Sequence, residues 1–259
     1  GASFGGSIGA IAGTIAIITI FISQRKGIYR EIDNTRIYKE ETTGKIIKDL
    51  LTIAIPITIG ASIAPIMDTI DAALVMKRLQ SIGFSEFKAN DLYGQLKGLA
   101  QTLVNLPQVF SMALAISLVP AISDAHIRKR HKEMRNIVSS GVRMTLLIGL
   151  PCAFGLFVLG KPIIRLLYFK NSIDKLNNTG EILQILAFSV IFLTLVQSLT
   201  AILQGLGRPI IPVRNLFMGA VVKTILTYVL TGYPNINVKG AAISTVAAYL
   251  IAAVLDIIS

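Results

Sequence analysis

Residues 98–123 and 182–207 contain no Asp, Glu, Lys or Arg. This limits what the chain can fold into. A helix rises 1.5 Å per residue, so about 20 residues cross the roughly 30 Å hydrocarbon core of a bilayer. Both runs exceed that length. The whole composition points the same way: 53% hydrophobic residues, a mean hydropathy of +0.68 and only 15% charged residues, against ~25% in soluble domains. The expected fold is all-α, a polytopic membrane helix bundle of about seven transmembrane helices.

The apolar segments fall at residues 5–22, 46–76, 92–120, 137–159, 181–204, 209–231 and 239–258. Gly5, Gly6, Gly9 and Gly13 give the first a small-residue face suited to close helix packing. Pro56, Pro65, Pro107, Pro151, Pro209 and Pro212 fall in or at the edges of these segments. An internal proline removes one backbone hydrogen bond and kinks its helix. In lipid, that is tolerated where neighbours or cavity water satisfy the freed carbonyls. The chain opens at Gly1 without an initiator Met and closes on an apolar segment, the pattern expected of a piece of a longer membrane protein.

The net charge of +11 would suggest a nucleic-acid partner in a soluble protein. Here the cations lie between apolar segments, and no nucleic-acid role is expected. Residues 23–48, 121–143 and 205–214 together hold fifteen Lys and Arg, against nine in the alternate connections. By the positive-inside rule the first set faces the cytoplasm. Cys152 is the single cysteine, so no disulfide framework is possible. His126 and His131 lie in a basic connection without carboxylates at metal spacing, and no Walker loop, GxSxG elbow or HExxH motif occurs. An enzyme is not expected.

Ionisable residues inside the apolar segments are the candidate functional groups. Asp68 and Asp71 are three apart and share a helix face. Lys223 sits midway through the sixth segment with Asn215 two turns before it, and Arg143 is about two turns into the fourth. A charge at mid-bilayer costs roughly 2.5–3.5 kcal/mol even on the lenient insertion scale, so such groups should face a wet interior or one another. Lys223 is expected to carry transport or to pair with Asp68 or Asp71, and the two roles are compatible. Arg143 has the alternative of snorkelling to the headgroups, and Asp71 of lying solvated near the outer interface. For Asn105, Gln108, Gln197 and Gln204, hydrogen bonding between helices is the expected role.

Leu103-Val104-Asn105-Leu106-Pro107, followed by Ala115-Ile116-Ser117-Leu118-Val119-Pro120-Ala121-Ile122-Ser123, resembles the signature of the stage V sporulation protein B / MurJ-like oligosaccharide flippases. These form the polysaccharide transporter branch of the multidrug/oligosaccharidyl-lipid/polysaccharide (MOP) superfamily. Thr200 to Pro209 resembles that family's junction between helices ten and eleven. Lys239 to Thr245 resembles the start of helix twelve, and Ile70-Asp71 the end of helix seven. The resemblance implies the second lobe of a MATE/MurJ-like transporter. Residues 1–23 would be the last helix of the first lobe, 24–45 a cytoplasmic linker, and 46–259 the six-helix second lobe.

It further implies a multi-pass protein of the bacterial cytoplasmic membrane, acting with a first lobe that these residues do not include. The implied substrate is a lipid-linked oligosaccharide or lipid II-like peptidoglycan precursor, flipped between leaflets by alternating access. Lys223 and Arg143 would meet its pyrophosphate. The family pattern suggests a sodium site from Asp71 (or Asp68), Asn215 and Thr245, with Na+ or H+ as coupling ion. Lys223 departs from that pattern, because its ammonium could stand where the cation would. An extruder of organic cations from the same superfamily, and a scaffold that transports nothing, are the alternatives.

Overall fold

Residues 13–25 and 42–259 are described by the structure, a computed structural model. The chain divides into two units, 1–50 and 51–259. Helix α1 (Gly13–Arg25) belongs to the first; the segment expected to begin at residue 5 lies partly outside the described residues. Helix α2 (Thr43–Ser81) starts in the first unit and continues in the second. Then follow α3 (Glu86–Gly94), a π-helical turn (Gln95–Ala100), α4 (Gln101–Ile127), α5 (His131–Leu167), α6 (Ile173–Gly205), α7 (Ile210–Thr231) and α8 (Lys239–Ile258).

Six helices among the described residues are long and apolar enough to cross a membrane, with α3, the π turn and α4 counting as one continuous span. α1 is apolar but shorter over its described length. The helices overrun the expected segments by up to eight residues, because charged and polar residues near their ends lower the hydropathy there. Pro120, expected at a helix end, lies inside α4, and Pro162 lies inside α5.

The interior mixes apolar residues with small polar ones, while large apolar side chains face outward. Ile116, Leu147, Leu166 and Phe217 face outward, while Ser111, Thr145, Thr179, Ser189, Thr194, Ser198, Thr227 and Ser244 are fully buried. In lipid, apolar burial gives helices no reason to associate, so close packing and hydrogen bonds hold them together. Thr145 and Ser198 join α5 to α6, and Thr227 and Ser244 join α7 to α8 at 2.6 Å. α6 is the central helix, packed against α4, α5 and α8. Buried apolar residues form four clusters among the described residues, two of them extensive. The larger collects Val75, Leu79, Leu96, Ile164, Leu183 and Val238 among others. The smaller is built on Leu118, Ile122, Ala201 and Ile202. Cavities lie between the helices beside these clusters.

Candidate functional site

Along α2, every fourth residue from 63 to 79 is buried: Ile63, Met67, Asp71, Val75 and Leu79. This i, i+4 stripe is the face the helix turns inward, and Asp71 is its single polar member. α7 presents a matching stripe of Asn215, Gly219, Lys223, Thr227 and Thr231. Where the two meet, the Lys223 ammonium pairs with Asp71 Oδ2. Asp71 is 2% exposed and Lys223 9%. Breaking a buried pair by removing one partner costs about 3–5 kcal/mol, because the remaining charge is stranded.

A second lysine completes the cluster. Lys97, at the centre of the π turn, lies 2.6 Å from Asp68 Oδ1 and 3.5 Å from the same Asp71 Oδ2. Asp68, one turn before Asp71, is mostly exposed, and Tyr93 donates to its backbone carbonyl at 3.3 Å. Two ammoniums thus face two carboxylates, while Asp71 Oδ1 is buried with no partner. π turns recur at functional sites, and this one carries polar side chains in two directions. Its Gln95 turns to α6, accepting from Asn178 at 2.7 Å and Thr179 at 3.3 Å and donating to Asp91 at 3.0 Å. Asp91 is also paired with Lys175 at 2.5 Å.

Lys97, Lys223 and Asp68 line a cavity of about 390 Å³ with Gln101, Asn105, Gln108, Thr245 and Tyr249. Through the π turn and α4, Lys97, Gln101, Asn105 and Gln108 recur at near-helical spacing and form a polar stripe about 16 Å long at 1.5 Å per residue. The cavity can hold a charged or strongly hydrated group, since it offers both signs of charge and several amides.

Of the residues singled out in the sequence, Asp68, Asp71 and Lys223 come together, and Thr245 lines the same cavity. Asn215 does not join them. It lies eight positions before Lys223, about 12 Å along the helix, and donates instead to Asp256 Oδ1 at 2.8 Å and Ser259 Oγ at 3.3 Å. The expected sodium set of Asp71, Asn215 and Thr245 is therefore not assembled: its amide is engaged elsewhere, and the Lys223 ammonium sits against the carboxylate. Arg143 is exposed on α5, beside Leu147 and Leu150 on the same helix, and does not reach the cavity. Asp71 is not at a solvated interface but inside.

Lys97, in the site, and Asp256, the partner of Asn215 away from it, are the residues that sequence reasoning passed over. Lys97 lies one residue before the charge-free run 98–123 and counts among the nine cations of the alternate connections. Its spacing to Gln101, Asn105 and Gln108 was the available signal. Asp256, 4% exposed with Oδ2 unpartnered, carried no signal beyond being one acid in an apolar helix.

Comparisons with known proteins agree with this architecture. The family model described as lipid II flippase MurJ matches residues 2–258. An uncharacterized membrane protein, YabM of Bacillus subtilis, is 30% identical over 83% of this chain and 39% of its own length. Stage V sporulation protein B of the same organism is 25% identical over 95% of this chain and 46% of its own length. The Bacillus subtilis lipid II flippase MurJ is 23% identical over 96% and 45%. This chain thus spans less than half the length of these curated relatives. Among solved structures, a MATE transporter in complex with MaL6 superposes with a TM-score of 0.66 at 15% identity, over 80% of this chain and 43% of that one. A MOP superfamily transporter from Pyrococcus furiosus also gives 0.66, at 14% identity over 84% and 47%.

Proposed function

The chain belongs to the MurJ family of lipid II flippases, a family of multi-pass membrane transporters rather than catalysts, and we propose that it supplies one lobe of a carrier for an anionic, lipid-linked precursor. In this reading residues 46–259 are the second lobe, 1–23 the last helix of the first, and 24–45 the linker between them. The observation that carries it is the pair of lysines, Lys97 and Lys223, on a cavity between membrane helices. In the resting form each ammonium is neutralised by a carboxylate of α2. A pyrophosphate entering the cavity competes with Asp68 and Asp71 for the same two cations, and the lipid tail stays outside against the apolar exterior. Exchange of carboxylate for phosphate on a lysine ties substrate arrival to movement of α2.

Both signs of charge on the cavity favour this over export of organic cations, for which two ammoniums in the wall are unfavourable. As to the coupling ion, Lys223 already neutralises Asp71, and a metal cation beside that carboxylate would meet a like charge. We therefore favour proton over sodium coupling. The test is translocation of a fluorescent undecaprenyl-pyrophosphate-linked sugar by the intact protein in proteoliposomes. Charge-assisted hydrogen bonds contribute about 1.5–3 kcal/mol each, so Lys97→Met with Lys223→Met is expected to slow translocation at least about tenfold. An unchanged rate at equal protein content rejects the reading.

A further inference from the structure

A second cavity, of about 470 Å³, adjoins the charged one and shares Ala64, Gln108, Leu216 and Tyr249 with it. No Asp, Glu, Lys or Arg lines it. Its polar groups are three glutamine amides, Gln108 on α4 and Gln197 and Gln204 on α6, with Thr200 between the latter two and the Tyr249 ring from α8. Residues 197, 200 and 204 follow helical spacing, so all three project from one face of α6.

Interhelical hydrogen bonding is the ordinary occupation of glutamines in membrane helices. It is not what these side chains do. Among the described residues, none of Gln108, Gln197, Thr200 and Gln204 has a side-chain hydrogen bond, nor does the Tyr249 hydroxyl. Gln197 Oε1 is fully buried with no partner. An unsatisfied buried amide costs about 1–3 kcal/mol. That oxygen, with the half-buried and unbonded side chains of Gln108, Thr200, Gln204 and Tyr249 turned onto the same cavity, describes a site whose partners come from outside the chain. The groups are neutral, can both donate and accept, and sit beside an aromatic ring.

We propose that this cavity binds the uncharged, polyhydroxylated part of the substrate, a sugar, while the adjoining charged cavity takes the phosphates. The proposal rests on the carrier reading above and adds to it a division of the headgroup between two compartments. Both open on the same side: Ile57 of α2 with Met112 and Ile116 of α4 are exposed at the rim of the neutral cavity, and Asp68 of α2 with Asn105 of α4 at that of the charged one. A headgroup entering between α2 and α4 therefore reaches both, and Gln108 and Tyr249, common to the two walls, lie at the junction.

The test compares binding of two lipids to the intact protein in nanodiscs: undecaprenyl pyrophosphate, and the same lipid carrying a disaccharide. Gln197→Met with Gln204→Met keeps side-chain length and removes both amides. The expected result is about a tenfold loss of affinity for the glycosylated lipid, as two lost hydrogen bonds imply, with the sugar-free lipid unaffected and the thermal midpoint not lowered. Thr200→Val, a smaller change, is expected to show the same selectivity at a few-fold. An equal loss for both lipids, or no loss for either because only water fills the cavity, overturns the sugar site. Lys223→Met is the separate control on the carrier reading: if it leaves sugar-free pyrophosphate binding intact, the anion site fails, whatever the glutamines do.

Discussion

One carboxylate oxygen of Asp71 serves two ammoniums, and its other oxygen serves none. Removing the acid leaves Lys97 and Lys223 facing each other in a low-dielectric interior without their shared counter-ion. Asp71→Asn is therefore expected to lower the thermal midpoint of the detergent-solubilised protein more than the double change Asp71→Asn, Lys223→Met. The ordering follows from the cost of about 3–5 kcal/mol for a stranded buried charge, against near neutrality when both partners go. A larger loss in the double variant would mean that the pair is not a unit. The charges themselves were legible in the sequence, as Lys223 and Asp71 stand alone in apolar surroundings. Their pairing was one of two partners named for Lys223, since Asp68 and Asp71 share a helix face and only burial separates them. The role of Asn215 was not legible, because its choice of Asp256 depends on how far α8 runs alongside α7.

At the scale of elements, the α7–α8 pair shows why glycine positions differ in consequence. A Cβ on Gly219 would lie 2.7 Å from the Ala248 backbone oxygen, whereas one on Gly155 of α5 would meet nothing within 4 Å. Gly219→Ala is expected to destabilise by about 1–3 kcal/mol through forced separation of the two helices. Gly155→Ala should be neutral or gain up to about 1 kcal/mol from helix propensity. Thermal unfolding of the two variants side by side checks this, and equal midpoints would contradict the packing described. The α2–α7 contact has a different character at its far end, where Arg78 donates to the Tyr228 carbonyl at 3.0 Å and lies 4.4 Å from that ring's centre. Helix existence was readable from apolar run length. The π turn was not, because no residue pattern in Gln95–Ala100 distinguishes five-residue from four-residue hydrogen bonding. It is this turn that places Lys97 on the charged cavity.

For the molecule as a whole, the hydropathy pattern was sufficient for the bundle, and large apolar side chains on its outer face follow from it. What the pattern could not supply is the interior: where apolar clusters stop and cavities begin depends on which Ser, Thr, Gly and Gln residues meet across helices far apart in sequence. The charge asymmetry does make a checkable statement about orientation. In a Cys152→Ala background, Lys129→Cys between α4 and α5 should react with a membrane-impermeant maleimide from the cytoplasmic side, and Asn235→Cys between α7 and α8 from the opposite side. The reverse labelling would invert the assignment.

The amine at position 223 has one further consequence. A dissolved ion leaves its binding place by diffusing away and is replaced from a reservoir whose concentration an experimenter can set. An amine tethered to the backbone of α7 has no such reservoir. Its place beside Asp71 empties only when the two helices part, when a competing anion draws the amine aside, or when the amine hands over a proton. A transport cycle of the proposed kind that uses this pair runs on one of those three events.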